Sequence, residues 1–196
     1  MIFSFIYKAI RQLIIKDLIK VGRKKFCKCG SNVRFSPHNS YFTYGSIEVG
    51  NNVFINTNAY LSGSITIGDN VLFGPYVIVT NGHHTYDAVG KYIYAQGRPE
   101  KKAILIEQDS WVGARSIILQ SAGVGEGSVI GAGSTVTKKM PPYCICFGNP
   151  CKPVKYRYSD DELREHFRLT GRSIAEAEQM IVRRREMLNG FTDGKL

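Results

Sequence analysis

This chain of 196 residues contains few cysteines and fewer acidic than basic residues. It has only five cysteines, an odd number and too few for a disulfide scaffold, so a reduced, cytoplasmic setting is favoured. A structural zinc site needs four ligands, usually as two pairs. The only close pairs are Cys27 with Cys29 and Cys144 with Cys146, and we interpret them as small apolar residues. Acidic residues number 16 against 26 basic ones, and a net charge of +10 favours anionic partners such as nucleic acid, acidic lipid or a phosphorylated cofactor.

Long apolar runs are also absent, although the chain starts with many apolar residues. Lys8, Arg11 and Lys16 interrupt them, so neither a membrane span of about 20 apolar residues nor a signal peptide is predicted. Apolar residues at helical spacing predict an amphipathic basic helix over 1–26. Two interpretations stay open. The helix lies on a membrane surface through residues 1–25, with its lysines near acidic headgroups, or it packs on its own domain or a neighbouring subunit.

A period of six residues fills the middle of the chain. Apolar residues stand at every sixth position in two series: Val49, Ile55, Leu61, Ile67, Phe73 and Val79, then Ile106, Val112, Ile118, Val124, Ile130 and Val136. This period does not fit an α-helix, and it is typical of a solenoid with three hexapeptides per triangular coil. The sequence therefore predicts a mainly β fold, a parallel β-helix over 27–140.

The two series are out of phase, which predicts an excursion loop over 81–102. Loops on a rigid scaffold commonly carry function. His83 and His84 lie at the root of this loop, and histidine is the usual general base near neutral pH. A catalytic zinc needs three protein ligands, which adjacent histidines do not readily supply, so no metal is predicted. Candidate acceptor contacts are Asn56, Tyr86 and Asp87.

The repeats end at Met140-Pro141-Pro142. A closing segment over 141–158 and a helical appendage over 159–196 are predicted to follow. Ser159 precedes three acidic residues, as at a helix N-cap. A second helix is predicted over 173–188, with one apolar side formed by Ile174, Ala177, Ile181 and Leu188.

Five motifs carry a family resemblance over 29–154. They are Ser110-Trp111-Val112-Gly113-Ala114, the glycine-rich stretch 125–134, Val136-Thr137-Lys138, Met140-Pro141-Pro142 and Gly148-Asn149-Pro150-Cys151-Lys152. The chain resembles the hexapeptide-repeat acyltransferases, in the branch of maltose, galactoside and polysaccharide O-acetyltransferases. The resemblance implies a left-handed β-helix, a homotrimer and acetyl-CoA as donor.

The same resemblance implies a role for individual positions. The family's catalytic histidine falls on His84, with His83 as second choice, and Trp111 is a wall or indole donor for the substrate. The positions implied to contact the cofactor are Gly113, Ala114, Gly131, Ala132, Thr137, Lys138, Lys152 and Lys155. The chain also departs from the galactoside branch. Ala114 replaces a serine thought to help hold the oxyanion, and Phe54 and Ser62 replace an Asn and an Asp that hold the acceptor.

These observations predict an acetyl-CoA-dependent O-acetyltransferase acting on a sugar hydroxyl. The basic start suggests a lipid-linked oligosaccharide acceptor in surface polysaccharide synthesis (capsule, O-antigen or exopolysaccharide), at the inner face of a membrane. Two alternatives stay open: N-acetylation of an amino sugar, and a non-enzymatic basic β-helix scaffold. Nucleic acid is not an expected partner, because the lysines cluster at the two ends and do not alternate with aromatics along a groove.

Overall fold

The computed structural model describes the backbone of residues 2–100 and 102–191, and the side chains from Gln12 onward within these ranges. Short strands coil around a triangular prism. In chain order they are β1 Lys28–Cys29, β2 Tyr41–Phe42, β3 Ile47–Val49, β4 Phe54–Ile55, β5 Tyr60–Ser62, β6 Ile65–Ile67, β7 Leu72–Phe73, β8 Ile78–Thr80, β9 Ile104–Ile106, β10 Trp111–Val112, β11 Ile117–Ile118, β12 Gly123–Val124, β13 Val129–Ile130, β14 Thr135–Val136, β15 Cys144–Gly148 and β16 Cys151–Tyr156.

Three sheets form the faces of the prism. Sheet A contains β1, β3, β6, β9 and β12; sheet B contains β4, β7, β10, β13, β15 and β16; sheet C contains β2, β5, β8, β11 and β14. All neighbours pair in parallel except β15 and β16. The predicted parallel β-helix is therefore confirmed.

The six-residue period arises because inward residues stack along the prism axis. Ile47 pairs with Ile65, 18 residues later, and all twelve apolar positions of the two series are buried. From β6 to β9 the offset grows to 39 residues, with Ile65 opposite Ile104. An insertion of 21 residues thus separates the two series, and it is the excursion loop.

The first end of the prism is closed by a cluster of aromatic side chains. At the first end, Phe26, Phe35 and Phe42 pack edge to face, with ring centroids 5.3–5.7 Å apart. Helix α1 (Ile2–Arg23) lies beside them. A Cβ on its Gly22 would lie 2.8 Å from the Phe35 ring, so the absence of a side chain permits this contact. No described helix is long and apolar enough to cross a membrane.

Two helices follow the strands, α2 (Asp160–Leu169) and α3 (Ile174–Asn189). Each begins with a capping box, at Ser159 and Ser173, which satisfies free backbone donors of the first turn. They share a second core made of Tyr143, Leu163, Phe167, Ala177 and Ile181.

The apolar side predicted for the second helix is partly wrong. Ile174 is 47% exposed, because it stands in the first turn, where side chains point back beyond the packed part of the helix. The buried side instead includes Arg184, whose side chain is fully buried.

The helical pair is held to the prism by ion pairs along one edge. Arg157 contacts Asp109 (Nη1 to Oδ2, 2.9 Å), and Arg183 contacts Glu107 (Nη1 to Oε2, 2.7 Å). Arg172 contacts Glu126, which also accepts a 2.8 Å hydrogen bond from the Tyr143 hydroxyl. Glu107 and Asp109 lie at one turn between sheets A and B, and Glu126 lies at the corresponding turn of the next coil.

Candidate active site

The excursion loop leaves the prism at the edge between sheets C and A, and a buried amide closes its base. Asn81 is fully buried. Its Nδ2 donates to the carbonyls of Ser64 and Lys102, both at 3.1 Å. One side chain therefore links the start of the loop to its end at Lys102 and to Ser64 in the preceding coil. It fixes the backbone two residues before His83. In the sequence Asn81 looks like an ordinary turn residue, so this role was missed.

Hydrogen bonds within the loop organise the rest of it. The Thr85 amide donates to the Gly97 carbonyl at 3.1 Å. Gln96 accepts from the Ala88 amide and donates to the Lys91 carbonyl, both at 2.9 Å. The loop thus has a defined shape although most of its side chains are exposed. Several of those exposed side chains are large and apolar: Tyr86, Val89, Tyr92, Ile93 and Tyr94.

The candidate catalytic residues lie on different sides of one chain. His83 and His84 are exposed at the root of the loop. Trp111 is 52% exposed on β10 in sheet B, the face of the prism opposite the edge from which the loop departs. Asn56 follows β4, and its Oδ1 accepts from the Thr57 amide at 2.7 Å. Tyr86 and Asp87 are exposed on the loop itself. A single chain therefore does not enclose the histidines and Trp111 in one pocket.

Four of the candidate cofactor residues stack along the edge between sheets B and C. Gly113 and Ala114 follow β10, and Gly131 and Ala132 follow β13. A Cβ on Gly113 would lie only 2.6 Å from the Ala132 amide nitrogen, so a larger residue would force the coils apart. Gly113 is buried under this contact, whereas Ala132 is exposed on the next coil.

Three further candidates meet in one recess. Thr137, Lys138 and Lys152 line a cavity of about 270 Å³, together with Pro150, Cys151, Gly190 and Phe191. Lys155 is exposed further along β16 and does not line it. Neither Gly190 nor Phe191 was predicted to lie here, because no local pattern indicates where the end of α3 is placed.

The buried cysteines are poor nucleophiles. Burial raises the pKa of Cys144 and of Cys151 to about 11, so both thiols are protonated near neutral pH. Burial also raises the pKa of the Cys146 thiol. Within the described part of the chain, no group of three or more His, Cys, Asp or Glu side chains could hold a metal ion.

Comparison with known proteins identifies the family. Residues 46–81 match the family described as bacterial transferase hexapeptide (six repeats), and residues 103–138 match the hexapeptide repeat of succinyl-transferase. The galactoside O-acetyltransferase of Escherichia coli is 34% identical over 149 residues, which cover 74% of this chain and 68% of that protein. This chain belongs to the hexapeptide-repeat acetyltransferase family. The excursion loop falls between the two matched segments.

Solved structures agree with this assignment. The hexapeptide-repeat acetyltransferase VCA0836 of Vibrio cholerae, complexed with acetyl-CoA, superposes with a TM-score of 0.64 at 28% identity and covers 72% of this chain and 76% of its own. AntD is an N-acyltransferase from Bacillus cereus, solved in complex with dTDP and 3-hydroxybutyryl-CoA. It superposes with a TM-score of 0.57 at 26% identity, and the match covers 80% of this chain and 95% of AntD. The protein is thus an acetyltransferase of this family, and acetyl-CoA is its co-substrate.

Proposed function

We propose that this acetyltransferase transfers the acetyl group from acetyl-CoA to a hydroxyl of a sugar. The similarity to a galactoside O-acetyltransferase over three quarters of the chain supports the acceptor class. The observation that carries the proposal is the loop base, where Asn81 holds both ends of the excursion beside His83 and His84. A histidine at this root would act as general base from a fixed point of a rigid scaffold.

The proposed reaction is a direct transfer with His84 as general base. Its imidazole takes the proton from the acceptor hydroxyl while that oxygen attacks the thioester carbonyl, a step worth roughly 10²–10⁴-fold in rate. Ala114 has no hydroxyl, so a backbone N–H or the Trp111 indole stabilises the oxyanion, by about 3 kcal/mol for one donor. The tetrahedral intermediate then collapses, the C–S bond breaks, and His84 returns the proton to the CoA sulfur.

The complete site requires more than one copy of the chain, and we propose a homotrimer. Trp111 and the loop edge lie on opposite sides of one prism, so the loop of one subunit can face the Trp111 of the next. The exposed aromatic residues of the loop support this arrangement, because monomeric proteins rarely expose large contiguous apolar surface. Light scattering on the purified protein should give a mass near 66 kDa, about three times the 21.9 kDa of one chain. A mass of one chain in an active sample would contradict the shared site.

The test of the base compares two neighbouring histidines. His84→Ala should lower kcat by about 10²–10⁴-fold and leave the Kd for CoA within about twofold. His83→Ala should have a smaller effect, and His38→Ala, exposed in the first coil, should have none. A larger loss in His83→Ala would move the base to His83. Near-normal kcat in both variants would exclude a histidine base in this loop.

The acceptor panel should contain hydroxyl and amino sugars, because a second candidate function has structural support. AntD is an N-acyltransferase and superposes over 80% of this chain. Release of free CoA that is accelerated only by amino sugars would favour N-acetylation. No CoA binding by the native protein would favour the non-enzymatic scaffold instead.

We further propose that α1 lies on an anionic membrane surface, where the enzyme meets a lipid-linked acceptor of surface polysaccharide synthesis. Leu13, Ile14, Leu18 and Val21 are exposed apolar side chains of this helix. Lys16, Lys20, Arg23 and Lys24 line a basic recess beside them. Such a combination suits the boundary between acyl chains and acidic headgroups.

Vesicle binding tests this contact. The full chain should co-sediment with phosphatidylglycerol vesicles and not with phosphatidylcholine vesicles. Lys16→Glu with Lys20→Glu should release it while activity on a soluble acceptor stays unchanged. Equal behaviour of the variant and the native protein on anionic vesicles would mean that α1 packs on a neighbouring subunit.

A further inference from the structure

The recess beside the end of α3 combines positive charge with an aromatic ring. Lys138 and Lys152 both belong to its lining, and none of the described residues that line it is acidic. Phe191 is half-buried and packs against the residues of the prism core. Lysine ammonium groups attract phosphate, and an aromatic face accepts a flat heterocycle. The recess therefore suits a ligand that carries both a phosphate and a base.

The placement of Phe191 is fixed by several contacts. Its amide donates to the Leu188 carbonyl at 2.8 Å, and Leu188 is buried in the core. One and a half turns earlier, Arg183 contacts Glu107 of the prism. The Lys138 ammonium lies 5.8 Å from the centre of the Phe191 ring, within the range of a cation–π contact. The ring is thus held in position before any ligand arrives.

The position of the recess relates it to the donor. It adjoins Thr137 and Lys138, on the coil that follows the Gly131-Ala132 edge. Acetyl-CoA carries its adenosine and phosphates at the end remote from the thioester. The C-terminal end of α3 also points its negative dipole end here. A neutral base with an exocyclic amine suits that end better than a phosphate does, so the phosphates belong on the side of Lys152.

We propose that Phe191 is a specificity residue that stacks on the adenine ring of acetyl-CoA, with Lys152 beside the phosphates. This inference rests on the use of acetyl-CoA. It assigns a binding role to the helical appendage, which otherwise only covers one edge of the prism.

The test compares two acetyl donors that differ only in the adenosine end, acetyl-CoA and acetyl-4′-phosphopantetheine. Phe191→Leu keeps an apolar side chain against the core and removes the aromatic face. It should raise KM for acetyl-CoA about fivefold, the effect of losing one base–aromatic stack at the weaker end of the known range. KM for acetyl-4′-phosphopantetheine should stay the same. Phe191→Tyr should behave like the native protein.

Control measurements separate the inference from the proposed function. Val182→Ala, on the exposed side of α3, should leave both KM values unchanged, and circular dichroism should show an intact fold in every variant. An equal rise for both donors in Phe191→Leu would indicate a purely structural role and overturn the inference. Unchanged KM values in that variant would overturn it as well, while the native enzyme remained active. Failure of the native protein to use either donor would instead overturn the acetyltransferase itself, and the inference with it.

Discussion

The prism and the helical appendage bury their side chains in different ways. Inside the prism, apolar residues stack on their own counterparts 18 residues away, and no inward position of the two series is polar. The appendage contains a fully buried Arg184, which pairs with Asp160 and donates to the Tyr158 carbonyl at 2.8 Å. It also meets the prism through arginine–carboxylate pairs.

The difference shows how strictly each region restricts the side chains at its buried positions. A stacked residue needs only the right size, because its neighbours are set by the period. A buried guanidinium needs particular partners in fixed directions, since an unpaired charge in a core is very costly. The prism therefore tolerates exchange among aliphatic residues, whereas the appendage depends on individual pairs.

The largest expected loss of stability comes from the prism core. Phe73 is 1% exposed, and its neighbour Leu72 on the same strand is 47% exposed. Phe73→Ala should lower the free energy of unfolding in urea by about 3–5 kcal/mol. Leu72→Ala should lower it by less than about 1 kcal/mol. Similar losses in both variants would show that sheet B is covered by another surface.

The next effect distinguishes two adjacent arginines that share one carboxylate. Arg184 is fully buried and Arg185 is 61% exposed, and both contact Asp160. Arg184→Met should destabilise the protein by about 3 kcal/mol, because it removes the buried partner of a charge. Arg185→Met should cost less than about 1 kcal/mol, as for other exposed pairs. Thermal unfolding of the two variants side by side decides this, and equal midpoints would contradict a special role for burial.

The smallest effect concerns how the appendage is attached. Raising the salt concentration to about 1 M shortens the Debye length to about 3 Å. Because the contacts of Arg157 and Arg183 with the prism are partly exposed, we expect docking to weaken by less than about 1 kcal/mol. Amide exchange in α2 and α3 should accelerate modestly, and exchange in the prism strands should not. Uniform acceleration would mean that the two regions open together.

The sequence predicted most of the prism. The inward series, the break in phase and the resulting loop follow from a period that each coil repeats, and the helix starts follow from Ser159 and Ser173, whose capping boxes are local. These features depend on residues close together in the chain or on exact repetition. The roles of His84, Trp111 and the acceptor contacts stay predictions.

Features that depend on distant parts of the chain were not predicted. Asn81 closes the loop base through carbonyls 17 and 21 residues away. Arg184 is buried by Tyr156 and Asp160, from the preceding strand and helix. Phe191 meets Lys138 only because α3 crosses the edge of the prism. The two partners of each contact lie far apart in the chain, so no local sequence pattern indicates that they meet.

The closed ends of the prism also limit how far its ladder of parallel strands extends. A stack of parallel strands leaves open backbone groups at its first and last coil, where another chain could continue the ladder and build a filament. Here an aromatic cluster around Phe26 and Phe35 covers one end. At the other, β16 runs antiparallel to β15, which interrupts the parallel order. The coil therefore has a fixed length, and the parallel ladder does not continue beyond these two ends.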